Sequence, residues 1–385
     1  MNSFQLIRIT TVPLSLEKLL EDQLKFMGDY FDVTAISSEN NRLKKFGENQ
    51  KVKTFTLNLT RQITPIKDLL AVWKLIRFLK KTKPHIVHTH TPKAGIVGML
   101  AAYIARVPHR LHTVAGLPLM EATGSKRKVL NAVEKLTYAC ATKVYPNSKG
   151  LQDVILKEKF TKPSKLKIIG NGSSNGIDTT YFDPNYYTET FKNKVKLKLG
   201  ISETDKVFIF VGRLVSDKGI NELITAFNIL QQNHQNIKLL LVGPLESDLD
   251  PLHKQTLNTI KSNQHIISLG FQKDVRPWFA VSDMLTFPSY REGFPNVVLQ
   301  ASAMGLPCIV SNINGCNEII TDNLNGIIVP KKNTDALADA MSVLINNPIL
   351  FNKLRVNARK LIQEKYERKV FWKALLQEYK SLDIQ

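Results

Sequence analysis

The segment Ser289-Tyr-Arg-Glu-Gly-Phe-Pro-Asn-Val-Val-Leu-Gln-Ala-Ser-Ala-Met-Gly-Leu-Pro307 lies between two short apolar runs, Met284–Phe287 and Pro307–Val310. Both runs read as buried strands, and Val297, Val298, Ala301 and Met304 between them recur at helical spacing. Strand, helix and strand in that order imply parallel strands joined by a crossover. Glu292 and Gly293 fall just before the helix, and its first turn is expected to hold Pro295 and Asn296. Proline suits the first helical position, where its missing N–H costs nothing. Unpaired N–H groups and the positive end of the dipole make a helix start an anion site. Eight helical residues rise roughly 12 Å, similar to an extended sugar–diphosphate–ribose unit. Glu292 would then touch a sugar, the helix start a diphosphate, and Gln300 a ribose. The alternative is an ordinary helix buried by its apolar face.

The same alternation runs through the chain. In the first half, strands are expected at Leu6–Val12, Val33–Ile36, Lys53–Leu57, His85–Thr89 and Arg110–Thr113. Helices are expected at about Leu16–Met27, Ile66–Lys81 and Gly95–Ala105, the second amphipathic through Leu69, Leu70, Trp73, Ile76 and Phe78. The rhythm restarts with strands at Lys206–Val211, Ile237–Val242 and His265–Leu269 and a helix at Ile220–Gln231. Gly, Asn and Asp crowd Ile168–Pro184, a credible linker. The expected architecture is α/β, two facing, doubly wound, Rossmann-like domains over residues 1–185 and 186–365. A long final helix, Pro348–Lys380, is expected to return toward the first domain through residues 366–385.

Length and composition agree with two domains: 385 residues, 43% of them hydrophobic, give each half a core. Residues 1–185 carry 29 Lys+Arg against 14 Asp+Glu, a net +15, and the remainder 24 against 19, a net +5. Such a surplus points to an anionic partner: nucleic acid, a phospholipid surface or a phosphorylated substrate. No basic recognition helix, aromatic-rich strand or metal knuckle supports nucleic acid. The start of the chain reads as a strand, not a signal peptide. The apolar run Ala94–Ala105 is shorter than the roughly 20 residues of a membrane span. Cys140, Cys308 and Cys316 cannot all pair and lack metal-ligand spacing, so a reduced, cytosolic setting is expected.

Ligands of open parallel sheets collect at the C-terminal ends of strands. That singles out Val211-Gly-Arg-Leu-Val-Ser-Asp-Lys-Gly219, where Arg213 and Lys218 either face a diphosphate or are two solvated cations among 53. The basic clusters Lys80-Lys81-Thr82-Lys83 and Lys126-Arg127-Lys128 likewise admit two readings, an anionic membrane surface or solvated helix faces. Asp248-Leu-Asp250, before Pro251, has the spacing of a metal-binding pair, and chance explains it better there.

The ordered set GRLVSDKG, Leu241–Pro244 (LVGP), Leu269–Val275 (LGFQKDV), PSYREGFPNVVLQASAMGLP and Asn314–Ile320 (NGCNEII) resembles the family 4 retaining glycosyltransferases of GT-B fold. Asn175–Asp178 (NGID) with Phe182, and Ile86–Gly95 (IVHTHTPKAG), extend the resemblance over nearly the whole chain. It is nearest to the bacterial enzymes of surface-polysaccharide, O-antigen and lipid-linked oligosaccharide synthesis. The resemblance implies phosphate contacts from Arg213, Lys218 and the loop of Gly212, and sugar contacts from Glu292. It implies a sugar- and diphosphate-binding segment at Phe294, Pro295 and Asn296, its backbone N–H donors coming from Phe294 and Asn296 because proline has none. It also implies a wall for the base at Gly270 and Phe271, and Glu318 near the base of the cleft.

Three positions depart from the family pattern. Gln300 stands where a second glutamate accepts the ribose hydroxyls; an amide can accept from one and donate to the other without charge assistance. Thr11-Val-Pro-Leu-Ser-Leu16 replaces a glycine-rich loop. Ala115, in His112-Thr-Val-Ala-Gly-Leu-Pro118, replaces a histidine; His90 is the preferred substitute, ahead of His88 and His112, because it lies latest on its strand.

The implied activity is hexosyl or N-acetylhexosaminyl transfer from a nucleoside-diphosphate sugar, most simply a UDP-sugar, to a lipid-diphosphate-linked glycan. The expected place is the cytoplasmic face of the plasma membrane, with anionic lipid but no nucleic acid as partner. No metal or other cofactor is expected. Alternatives are a nucleotide-sugar epimerase or hydrolase of the same fold, and a catalytically silent sugar-nucleotide binder.

Overall fold

The computed structural model describes residues 4–382 apart from positions 61, 63 and 247–249. The chain forms two compact units, Met1–Asn175 with Lys369–Gln385, and Gly176–Arg368. In the first unit the strands are β1 (Gln5–Ile9), β2 (Asp32–Ser37), β3 (Lys53–Thr56), β4 (Ile86–His90), β5 (His109–Val114) and β6 (Lys143–Pro146). They pair in the order β3-β2-β1-β4-β5-β6, all parallel. The second unit holds β7 (Lys206–Val211), β8 (Ile237–Val242), β9 (Ile266–Gly270), β10 (Met284–Phe287), β11 (Cys308–Ser311) and β12 (Gly326–Val329). Their order is β12-β11-β10-β7-β8-β9, again parallel throughout. Counted from its own first strand, each sheet runs 3-2-1-4-5-6. The order reverses between β1 and β4 and between β7 and β10, and crevices open there at the strands' carboxyl ends.

Burial explains the central strands. Val207, Phe208, Ile209 and Phe210 of β7, with Leu239, Leu240 and Leu241 of β8, are fully buried. A strand covered on both faces reads as a continuous apolar run. The edge strands β12, an apolar run of only four residues, and β6, with a single aliphatic residue, escape a sequence reading, as do the helices Asn40–Gln50 and Gly124–Cys140. The expected helix at Leu16–Met27 is two short ones, Pro13–Leu19 and Gln23–Gly28.

Two expectations need correction. The final helix is not continuous: Pro348–Tyr366 and Arg368–Lys380 are separated at Glu367. The Ile177 N–H donates to the Tyr366 carbonyl at 2.8 Å, and the Arg368 N–H donates to the Ile177 carbonyl at 2.9 Å. This bridge takes the groups a helix would use. Ile177 and Phe182 also enter the second core, so that unit begins at Gly176, ahead of the expected 186, and ends at Arg368. Phe371, Trp372, Leu375, Leu376 and Tyr379 of the last helix pack with Leu6, Leu24 and Ile86 in the first unit.

The second correction concerns the helix Pro65–Thr82. Its core face is Ala71, Val72, Leu75 and Leu79. Leu69, Leu70 and Trp73 are exposed instead. Among the described residues no helix is long and apolar enough to cross a membrane.

Candidate active site

At the second unit's switch point, β7 delivers Gly212 and Arg213 and β10 delivers the loop from Pro288 to Glu292. The first loop is pinned from below. The Leu214 N–H donates to the Pro244 carbonyl at 2.8 Å, and the Asp217 N–H donates to Asp250 Oδ2 at 2.5 Å. A short turn, Ser216–Lys218, ends at Gly219 with φ 69°. A Cβ there would lie 2.2 Å from the Pro288 carbonyl oxygen, so only glycine lets the two loops touch.

That contact assembles the charged residues. Lys218 Nζ is ion-paired with Glu292 Oε1, both side chains being largely buried. Ser289 Oγ donates to the same oxygen at 3.1 Å. Arg291 pairs with Asp217 at 2.9 Å, and the Tyr290 N–H donates to the Asp217 carbonyl at 2.9 Å. Tyr290 Oη donates to Glu222 Oε1 at 2.6 Å; burial, then Glu222, holds this phenol above its ordinary range.

The Glu292–Asn296 corner is backed by Asn314, whose Nδ2 donates to the carbonyls of Glu292 at 2.6 Å and Gly293 at 3.0 Å. Gly315 follows with φ 77°; a Cβ would meet the Gly293 oxygen at 2.5 Å. Glu318 caps the turn Cys316–Ile319 by accepting the Gly315 N–H at 3.4 Å, which is an architectural task. Phe294 is a core residue, its ring 5.5 Å from that of Tyr366. The helix runs Asn296–Ala303 with Pro295 as its N-cap, not its first helical residue. Because proline has no side-chain acceptor, no side chain caps this helix start. Gln300 lies half-buried in the second turn.

Arg213 is placed differently from Lys218. Its half-exposed guanidinium pairs with Glu246 Oε2 at 3.0 Å, on the loop after β8. Thus both expected phosphate-binding cations hold carboxylates in this structure. Gly270 ends β9, and its carbonyl accepts the Gly243 N–H at 2.8 Å. Phe271 leaves 74% of its surface open. Sequence reasoning misses Ser289, Asn314 and Glu246; for Asn314 the Asn-Gly turn signal was available.

In the first unit, His90 ends β4 as a buried residue whose two ring nitrogens lack hydrogen-bond partners. Burial, then Arg8 and His112, holds it neutral, well below the usual histidine range. A catalytic contact needs a face open to ligand, and His90 keeps none here. His88 lies between Arg8 at 2.9 Å and Thr113 Oγ1 at 2.7 Å, and His112 bonds Thr89 Oγ1 at 2.8 Å. The first unit's own switch point is closed by Thr11 and Thr91, whose hydroxyls are 2.8 Å apart. Asp248 of the Asp-Leu-Asp triplet lies outside the described residues, and Asp250 caps the Asp217 loop. No group of His, Cys, Asp and Glu suited to a metal ion occurs among the described residues.

Comparison with known proteins follows the division into units. Residues 30–172 match the glycosyl transferase 4-like domain, and residues 191–361 match the glycosyl transferases group 1. The capsular polysaccharide biosynthesis glycosyltransferase CapM of Staphylococcus aureus is 32% identical over 99% of this chain and 98% of its own. The UDP-Gal:α-D-GlcNAc-diphosphoundecaprenol α-1,3-galactosyltransferase of Escherichia coli is 31% identical over 87% of this chain and 85% of its own. HepE of Anabaena, crystallised with UDP and glucose, superposes with a TM-score of 0.79 over 98% of this chain and 100% of that one, at 19% identity. With both domain models and an end-to-end relative in agreement, the chain belongs to the family 4 glycosyltransferases, transferase enzymes of the two-domain GT-B fold.

Proposed function

We propose that this enzyme moves a hexose or N-acetylhexosamine from a nucleoside-diphosphate sugar, most simply a UDP-sugar, to a lipid-diphosphate-linked glycan in polysaccharide synthesis, with retention at the anomeric carbon. The observation that carries the donor side is the Lys218–Glu292 contact beside an uncapped helix start at the switch point of the second sheet. A carboxylate held by an ammonium and a hydroxyl is oriented to accept from sugar hydroxyls. Lys218, Arg213 and the N–H groups opening the Asn296–Ala303 helix supply positive potential for a diphosphate. The open ring of Phe271 offers a stacking face to a base, and the amide of Gln300 can accept from one ribose hydroxyl and donate to the other.

The acceptor side rests on relatives. The Escherichia coli relative is named for a diphosphoundecaprenol-linked acceptor, and the Staphylococcus aureus one for capsular polysaccharide biosynthesis. In the reaction, the bond from the anomeric carbon to the diphosphate breaks and a bond to the acceptor oxygen forms on the same face. The acceptor's proton passes to the departing phosphate oxygen. Arg213 leaves Glu246 to take up the charge that develops there. No step is assigned to a metal ion or other cofactor. Nucleotide sugars and the three unpaired, buried cysteines fit a cytosolic setting.

Thermal stabilisation of the purified protein by a panel of nucleotide sugars, followed by turnover on undecaprenol-linked acceptors, tests this reading. One or more UDP-sugars should stabilise it, and Arg213→Ala should lose about 3 kcal/mol of barrier lowering, roughly a hundredfold in kcat. Near wild-type turnover of Arg213→Ala would remove the leaving-group role. Stabilisation without transfer would indicate a sugar-nucleotide binder, and an epimerised or hydrolysed donor without acceptor would indicate the corresponding enzyme.

A further inference from the structure

The helix Pro65–Thr82 of the first unit is apolar on two opposite sides. Ala71, Val72, Leu75 and Leu79 face the core. Ile66, Leu69, Leu70 and Trp73 face away from it, 79%, 69%, 62% and 57% exposed. Their spacing of i, i+3, i+4 and i+7 makes one continuous stripe along the first two turns. Single exposed apolar residues are ordinary, whereas four large ones in register mark a surface that meets something apolar.

The same side of the helix changes character in its last two turns. Arg77, Lys80 and Lys81 continue the stripe, all exposed, with Lys67 and Lys74 on its flank. The Arg77 guanidinium lies 4.5 Å over the Trp73 ring, at the join between the apolar and cationic parts. The helix has one acidic residue, Asp68, and it is engaged by Lys93 and Thr64. The exposed face therefore offers apolar surface and positive charge with no competing carboxylate.

We propose that this face docks the protein on an anionic phospholipid bilayer, lying in the interface and not crossing it. Ile66, Leu69, Leu70 and Trp73 enter the boundary between headgroups and acyl chains, and Arg77, Lys80 and Lys81 meet lipid phosphates. A second copy of this chain is the poorer occupant, because a twofold contact would set Arg77, Lys80 and Lys81 either against the same cations, when the helices run parallel, or against the partner's apolar turns, when they run antiparallel. The second basic cluster contributes less, since Arg127 is committed to Glu158 and to the Leu119 carbonyl. Docking of this kind would hold the transferase on the surface where a lipid-linked acceptor resides, but nothing in it depends on the donor-site reading.

The test is co-sedimentation of the full chain with phosphatidylcholine vesicles, with and without phosphatidylglycerol, at low and high salt, while tryptophan emission is followed. Anionic vesicles should bind it, salt should weaken binding, and the emission should shift to the blue, a shift that Trp73→Phe removes. Leu69→Ser/Leu70→Ser and Lys80→Ala/Lys81→Ala should each weaken binding by about tenfold or more. Both variants should keep the wild-type melting temperature, because they alter exposed side chains, and should keep stabilisation by nucleotide sugars. Equal binding to neutral and anionic vesicles, undiminished binding by both variants, or loss of a dimer in place of vesicle binding would overturn the proposal. A failure of donor stabilisation in the unaltered protein would count against the donor site alone.

Discussion

At the residue scale, the donor side turns on how Lys218 and Gln300 are presented. Lys218 is readable as a binding candidate because it sits on the loop after an apolar strand. Its engagement by Glu292, and that of Arg213 by Glu246, is not readable, since 74 and 33 residues separate the partners. A diphosphate bound as proposed would therefore have to compete with these carboxylates for the two cations. Gln300 is the residue whose role is most directly measurable. Removing one neutral hydrogen-bonding amide is worth about 1 kcal/mol, so Gln300→Ala should raise the donor KM roughly fivefold and leave kcat nearly unchanged. Gln300→Glu should lower KM, because an ionised acceptor strengthens the bonds to ribose hydroxyls. An unchanged KM in Gln300→Ala would mean that the ribose lies elsewhere, and steady-state kinetics with varied donor decides it.

At the scale of elements, the site is a corner where backbone segments touch without room for side chains. Gly315 combines a left-handed φ of 77° with a would-be Cβ position 2.5 Å from the Gly293 oxygen. Gly315→Ala therefore has to displace the Glu292–Pro295 corner, at a cost of about 3 kcal/mol of stability. Urea denaturation should show that loss, and calorimetry should show weaker nucleotide-sugar binding. Wild-type values in both would mean that the corner is looser than the contacts imply. The helix Pro65–Thr82 illustrates the limit of periodicity at this scale. Apolar residues on both sides give two candidate stripes, and which one meets the sheet depends on packing that the helix's own sequence does not contain.

For the whole molecule, three histidines lie buried in the first unit. Burial holds His88 and His90 well below the usual range, and lowers His112 from 6.5 to about 4, the Thr89 hydrogen bond opposing the shift only in part. The folded chain thus keeps His112 neutral where the unfolded chain takes up a proton. Stability is unaffected by this residue above pH 6.5, falls as pH drops from 6.5 toward about 4, and changes no further below that. For His112 alone the loss is about 3 kcal/mol over the window. Chemical denaturation followed from about pH 7.5 to about pH 4.5 should show the decline, and His112→Gln should make it shallower while the contributions of His88 and His90 remain. A flat wild-type profile would show that the buried histidines are protonated in the folded chain.

What the sequence by itself determined is the alternation of strand and helix, the parallel sheets, the loop of Arg213 and Lys218 and a helix starting next to Pro295, though not its first residue. These follow from apolar runs, helical spacing and proline and glycine placement, all local properties of the chain. Only the tertiary structure decided the pairing of Lys218 with Glu292, the support of their corner by Asn314 and Gly315, the burial of His90 and the break at Glu367. Each of these depends on segments far apart in the chain being brought together by the order of strands in a sheet. That order is set by which faces find a partner to bury against.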